Sequence, residues 1–231
     1  RGEAQRILKS AHELNIFVTR PPEGVAYVPI SREVQAQAAS VMRYFRQRHL
    51  LPVKRIMYAI RLTEDLVWKK HSHLAFEAAI KDLGASLGLM SQRPEQEFDE
   101  GPDNLWKLPN GSFLVIECKN GSESKEGISK GDLGQLGQSI EWFEGKYGAN
   151  EAFTPIIIHP RSNTGPQASA IDGCRVIDGH RLRLLKAAFI AFITSVAEEE
   201  VISDVDKVQE KLVEHRLTGE QFLETYTVPL T

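Results

Sequence analysis

The feature that most constrains this chain is one short run. Phe113-Leu114-Val115-Ile116 are four consecutive apolar residues, preceded by Pro109-Asn110-Gly111 and followed at once by Glu117-Cys118-Lys119. An apolar run of this length, bounded by turn residues, reads as a buried strand over 112–119, and Asn-Gly between extended runs is a hairpin signal. The partly alternating stretch 101–108 supplies the other arm. Side chains alternate along a strand, so Glu117 and Lys119 share one face while Cys118 points to the opposite, apolar side. Asp103 lies 14 residues before Glu117, on the preceding arm. The hairpin is therefore expected to fold Asp103 back beside Glu117, bringing two carboxylates and an ammonium together.

The rest of the chain supplies helices and further strands. The spacing predicts a helix over 3–14 and extended runs over 15–19 and 24–29, with a turn between them at Arg20-Pro21-Pro22-Glu23. Ser31 reads as the N-cap of a helix running to His49, and Pro52 marks its limit. A helical pattern continues over 53–87, broken near 70–72, with Phe76, Ile80, Leu83 and Leu87 at helical spacing. The segment 95–99 reads as extended. Ser129 caps a helix with the stripe Leu133, Leu136, Ile140, Phe143 and Tyr147, and 154–159 is a buried strand around Ile156-Ile157-Ile158. A further strand at 173–177 and helices at 181–197, 204–216 and 218–225 complete an α/β sandwich around a mixed sheet.

Composition narrows the class. At 231 residues with 42% hydrophobic and 26% charged content, the chain is long enough for one sizeable core. Its longest apolar stretches, such as 187–196, fall short of a membrane span. Two cysteines, Cys118 and Cys174, exclude a disulfide scaffold or Cys-rich zinc site and fit a reducing, cytoplasmic setting. Opening on Arg1 with no leader, the chain reads as a fragment of a longer protein. Charge is uneven: residues 1–70 hold 13 Lys and Arg against 6 Asp and Glu, and the remainder 15 against 25. The first 70 residues read as a basic, mostly helical extension, and clustered cations point either to a polyanion or to an acidic neighbour in the parent protein.

Two acidic oxygens able to hold Mg²⁺, with a lysine to orient or deprotonate water, are what phosphodiester hydrolysis needs. An acidic residue two before a lysine occurs as Glu117-Cys118-Lys119, Glu123-Ser124-Lys125 and Glu144-Gly145-Lys146. Only the first follows an apolar strand-like run and has an aspartate on a paired arm. Pro102-Asp103 with Glu117-Cys118-Lys119 resembles the PD-(D/E)XK nuclease superfamily over about 74–159, with an extension of the resemblance to the helix after Arg181. The resemblance implies a restriction-endonuclease-like mixed β-sheet flanked by helices, occupying 71–231. It implies Mg²⁺ or Mn²⁺ held by Asp103, Glu117 and the Cys118 carbonyl, with Lys119 acting on the water. It further implies Glu77 as an added metal ligand and, by similarity to RecB-type nucleases, Gln135 on the following helix as a catalytic residue. The wider string from Gly101-Pro102-Asp103-Asn104-Leu105-Trp106 to Trp142-Phe143 is similar to nuclease modules fused behind bacterial DEAD-like helicases, although the Gly-x-x-x-x-Gly-Lys phosphate loop is absent from the sequence.

Other residues have weaker chemical grounds. Gly131, Gly134 and Gly137 cost a helix up to about 1 kcal/mol each, which suggests close backbone approach there by nucleic acid or by the sheet. Lys130, whose charge opposes the helix dipole, is then a phosphate contact. Arg43, Arg46, Lys54 and Arg55, together with Arg48 and Arg61, form the densest basic group, interleaved with Tyr44, Phe45 and Tyr58. His159 reads as a hydrogen-bonded rim residue and Cys118 as core. His71 and His73, two apart, cannot face one metal from a single helix. The expected activity is a metal-dependent nuclease acting on nucleic acid, DNA first. A catalytically inactive binding module of the same fold and a phosphohydrolase of small nucleotides are the alternatives. A helicase or other domain in the parent chain and a homodimer cutting both strands are the partners that fit.

Overall fold

The computed structural model describes residues 2–19, 25–33, 35–122 and 125–231; the turn expected at 20–23, the start of the run at 24 and the Glu123-Ser124 pair lie outside them. In chain order the elements are α1 (Gly2–Leu14), α2 (Gln37–Gln47), α3 (Pro52–Glu64), α4 (His73–Ser86), β1 (Met90–Gln92), α5 (Pro94–Phe98), β2 (Asn104–Lys107), β3 (Phe113–Cys118), α6 (Lys130–Tyr147), β4 (Phe153–Ile158), β5 (Arg175–Ile177), α7 (Gly179–Ser195), α8 (Glu199–Ile202), α9 (Val205–Glu214), α10 (Gly219–Tyr226) and β6 (Val228–Pro229). The strands form one mixed sheet in the order β1-β2-β3-β4-β5-β6. The hairpin is antiparallel, with Asn104 opposite Ile116 and Lys107 opposite Phe113. β3, β4 and β5 run parallel, and β6 returns antiparallel.

Period-two alternation sorts the strands into two apolar faces. On one face Trp106, Leu114, Ile116, Cys118, Ile156, Ile158 and Ile177 pack with residues of α2, α3, α4, α7, α9 and α10. On the other, Leu105, Phe113 and Val115 meet Phe143 and Tyr147 of α6, while Ile157 and Val176 meet Leu133 and Leu136 of the same helix. The chain is thus an α/β fold whose sheet lies between a group of helices and α6. α2 and α3, from the basic first 70 residues, contribute Val41, Phe45, Ala59 and Leu62 to the main core. They are integral to it.

Several local expectations need correction. Ser31 does not cap α2: its hydroxyl accepts from the Glu33 N–H in a local turn, and the helix begins six residues later. Pro52 opens α3 at a position where its missing N–H costs nothing. The segment read as extended at 95–99 is instead the short helix α5, which Asp99 ends in a left-handed conformation. At the N-terminus of α6 Ser129 and Asp132 form a reciprocal capping box, as the Ser-x-x-Asp spacing allows. The glycines of α6 do not serve close packing within the chain. A Cβ at Gly134 or Gly137 would meet nothing within 4 Å among the described residues, and at Gly131 only the Ser129 hydroxyl at 3.7 Å.

Candidate active site

One step beyond the pair Asn104 and Ile116, the hairpin register brings Asp103 beside Glu117. The Cys118 N–H donates to Asp103 Oδ2 at 2.7 Å, which ties the carboxylate to the backbone of β3. Glu117 continues the face of Phe113 and Val115 toward α6, where Ser139 Oγ donates to its Oε1 at 2.6 Å. Lys119, two residues on and on the same face, donates from Nζ to Glu117 Oε2 at 3.0 Å. Glu77, Asp103, Glu117, Cys118, Lys119 and Gln135 all line one pocket of about 440 Å³, with His73, Glu95, Gln138, Ser139 and Trp142 completing its wall.

Charge in this pocket is crowded and partly removed from water. Burial pushes the Asp103 carboxyl up to about 7, and the nearby Glu77 charge acts in the same direction against the pull of Lys119 and the Cys118 N–H. Burial also raises the Glu117 carboxyl, with Asp103 adding to it. For Lys119 burial alone works to lower the ammonium, but Glu117 and Asp103 outweigh it and the net shift is upward. Glu77, only 7% exposed, is held through Oε2 by Arg93 Nη2 at 2.5 Å. Arg93 Nε is buried without a partner among the described residues. Four carboxylates, Glu77, Glu95, Asp103 and Glu117, thus face two cations, Lys119 and Arg93. The donor set is all oxygen and in negative excess, which suits a hard divalent cation. Among the described residues no group of three or more His, Cys, Asp or Glu is arranged to hold a metal ion. In the arrangement seen, Glu77 is engaged by Arg93.

The remaining candidates divide. Gln135 reaches the pocket from α6, whereas Lys130, at the first position of that helix, is exposed and outside the pocket wall. Arg43 leans on Gln35, and Arg46 is exposed at the end of α2. Lys54 lines a different pocket, of about 550 Å³ between α3 and α4, that shares no residue with the candidate site. Arg55 corrects the expectation of a phosphate contact: it is 6% exposed, donating to the Ala197 carbonyl at 2.6 Å and to Glu199 at 2.8 Å. It holds α3 to the chain after α7. Glu144-Gly145-Lys146, the third acidic-x-lysine, lies at the end of α6, where Lys146 pairs with Glu100.

His159 is fully buried: its Nδ1 accepts from the Arg161 N–H at 2.9 Å and its Nε2 lies 2.9 Å from Ser122 Oγ. Burial lowers its pKa. The Cys118 side chain sits on the opposite face of the sheet in the apolar core, where burial raises its thiol well above the ordinary value. Sequence reasoning missed Ser139 and Arg93. Ser139 follows Gln135 by one helical turn and therefore shares its face, a signal that was there to find. Arg93 meets Glu77 only through tertiary folding. Comparison with protein-family models, with curated proteins and with solved structures finds no match to this chain.

Proposed function

We propose that this chain is a metal-dependent nuclease that hydrolyses phosphodiester bonds, with DNA as the expected substrate. In this reading it has the restriction-endonuclease-like fold of the PD-(D/E)XK superfamily and serves as a module of a larger, helicase-linked or defence-type protein. The observation that carries the proposal is the meeting of Asp103, Glu117 and Lys119 around one polar pocket, reached from adjacent strands of a hairpin. Asp103, Glu117 and the Cys118 carbonyl would hold Mg²⁺ or Mn²⁺, and Glu77 would join them on release from Arg93. Such an ion supplies Lewis-acid polarisation of the phosphate and a more acidic bound water.

The chain's own groups do the rest. Lys119, fixed by Glu117 Oε2, orients the attacking water and takes part in moving its proton. Ser139 holds the other Glu117 oxygen and so fixes the plane of that carboxylate. Gln135 on α6 donates to a phosphate oxygen, and Lys130 at the start of that helix adds charge along the substrate.

The test is cleavage of plasmid, single-stranded DNA and RNA with Mg²⁺ or Mn²⁺, comparing the natural chain with Lys119→Ala. The proposal expects divalent-dependent cleavage and a loss of about 10²-fold or more in the variant, the scale of a positioned proton-transfer group. Cleavage that survives Lys119→Ala would refute the assignment. One observation favours a second reading, a catalytically inactive nucleic-acid-binding module: Glu77 is engaged by Arg93. That reading requires binding of nucleic acid with no cleavage by the natural chain.

A further inference from the structure

β3 is followed by a residue that serves a second purpose. Asn120, one position beyond Lys119, turns to the opposite side of the strand, as alternation requires. It is 2% exposed, and its Nδ2 lies 2.9 Å from Ser72 Oγ, 3.3 Å from the Val67 carbonyl and 3.4 Å from the Lys69 carbonyl. Ser72 Oγ itself donates to the Lys69 carbonyl at 2.8 Å. Between them His71 adopts a left-handed φ of 60°, which reverses the chain into α4. Next to Asn120, a Cβ on Gly121 would lie 3.8 Å from Lys70 Cα and 3.9 Å from the Lys69 carbonyl. The turn at 67–72 and the loop after Lys119 therefore run backbone against backbone. His159 braces that loop from the other side through Ser122.

The side chains this turn presents are lysines and histidines. Lys69, Lys70, His71 and His73 are all exposed, and His73 reaches the wall of the candidate site. The pocket itself is acidic and repels the phosphates on either side of a scissile bond, so a polyanionic substrate needs cations at the rim. Two cations of the basic group on α2 and α3 are engaged elsewhere: Arg55 is buried in its own ion pair and Lys54 lines another pocket. We propose that the turn at 67–72 is a clamp for the phosphate backbone of a nucleic acid, and that Asn120 is the positioning residue that registers this clamp against Glu117 and Lys119. Contacts of this kind hold phosphates without reading bases, so the clamp is sequence-tolerant. The proposal rests on the nuclease reading for its choice of ligand, and its geometry rests on the Asn120 contacts.

The experiment uses the full chain and two variants, Lys69→Gln/Lys70→Gln and Asn120→Ala. Binding of a labelled oligonucleotide is measured in EDTA across a salt series, and cleavage is measured with Mg²⁺ on the oligonucleotide and on bis(p-nitrophenyl) phosphate. The lysine variant is expected to lower the salt slope by about 1 to 2 and to raise KM for the oligonucleotide about tenfold with kcat kept. Turnover of the small ester is expected to stay unchanged, because that substrate carries no flanking phosphate for the turn to hold. Asn120→Ala is expected to raise KM for the oligonucleotide with both lysines still in place; if that variant does not fold, the lysine variant decides alone. An unchanged salt slope and KM in the lysine variant overturn the clamp. Failure of the nuclease reading looks different: the natural chain then cleaves neither substrate, while the EDTA binding series still decides whether the turn holds the nucleic acid.

Discussion

Replacing Asp103 with asparagine separates the chemistry of the site from its cost in stability. In the metal-free protein the buried Asp103 carboxyl is pushed from its ordinary 3.8 up to about 7, first by burial and then by Glu77. The folded chain keeps this proton over a range in which the unfolded chain has released it. The stability tied to it is therefore full below about pH 4 and is lost as pH rises through about 7. At about 1.4 kcal/mol per pKa unit, a rise of about three units sets a ceiling of about 4 kcal/mol at pH 8. Asparagine removes the charge and keeps an acceptor for the Cys118 N–H, but its amide hydrogens need partners of their own, so about 2 kcal/mol is the expected gain. For a chain of this size that corresponds to roughly 4–8 °C in Tm. Thermal melts in EDTA at pH 4.5 and pH 8 read it directly. Asp103→Asn should melt higher than the natural chain at pH 8, with the advantage shrinking in acid, and Mg²⁺ should stabilise the natural chain alone. An asparagine variant less stable than the natural chain at pH 8, or equally favoured at both pH values, would refute the reasoning.

Three other substitutions probe separate parts of the site and its supports. Arg93→Leu leaves Glu77 buried without its partner and is expected to cost about 3–5 kcal/mol, measured by urea unfolding at pH 7; an unchanged midpoint would contradict the pairing. Ser139→Ala frees one oxygen of Glu117 and is expected to lower kcat for DNA cleavage about tenfold while the fold, followed by circular dichroism, is kept. Gly101→Ala places a Cβ 2.7 Å from the Trp142 ring at a backbone φ of 88°. It should destabilise the chain by about 1–3 kcal/mol in the same urea assay, from left-handed strain and overpacking.

What could be read in the sequence was local. The 113–116 run, the Asn110-Gly111 turn and the alternation of Glu117, Cys118 and Lys119 are set by neighbours in the chain, and they lead to the hairpin that brings Asp103 to Glu117. The Ser129 cap is local as well, with the two members of the box three residues apart. Ser31 misled because a serine hydroxyl can accept from the backbone N–H two residues on, closing a local turn, as readily as it can begin a helix. α5, five residues long, is too short for periodicity to separate from an extended run. The fates of Arg55 and Arg93 depend on partners that sequence spacing does not link. Arg55 meets Ala197 and Glu199, 142 and 144 residues away. Glu77 was found through a family resemblance, and the arginine that occupies it had no counterpart in that pattern.

The central claim is that Asp103 and Glu117 together make a site for a divalent cation. Isothermal titration of Mn²⁺ into the natural chain and into Glu117→Ala, with folding of the variant checked by circular dichroism, tests it most directly. The account requires micromolar-to-millimolar binding by the natural chain and none by the variant. A folded Glu117→Ala chain that binds Mn²⁺ unchanged would contradict it.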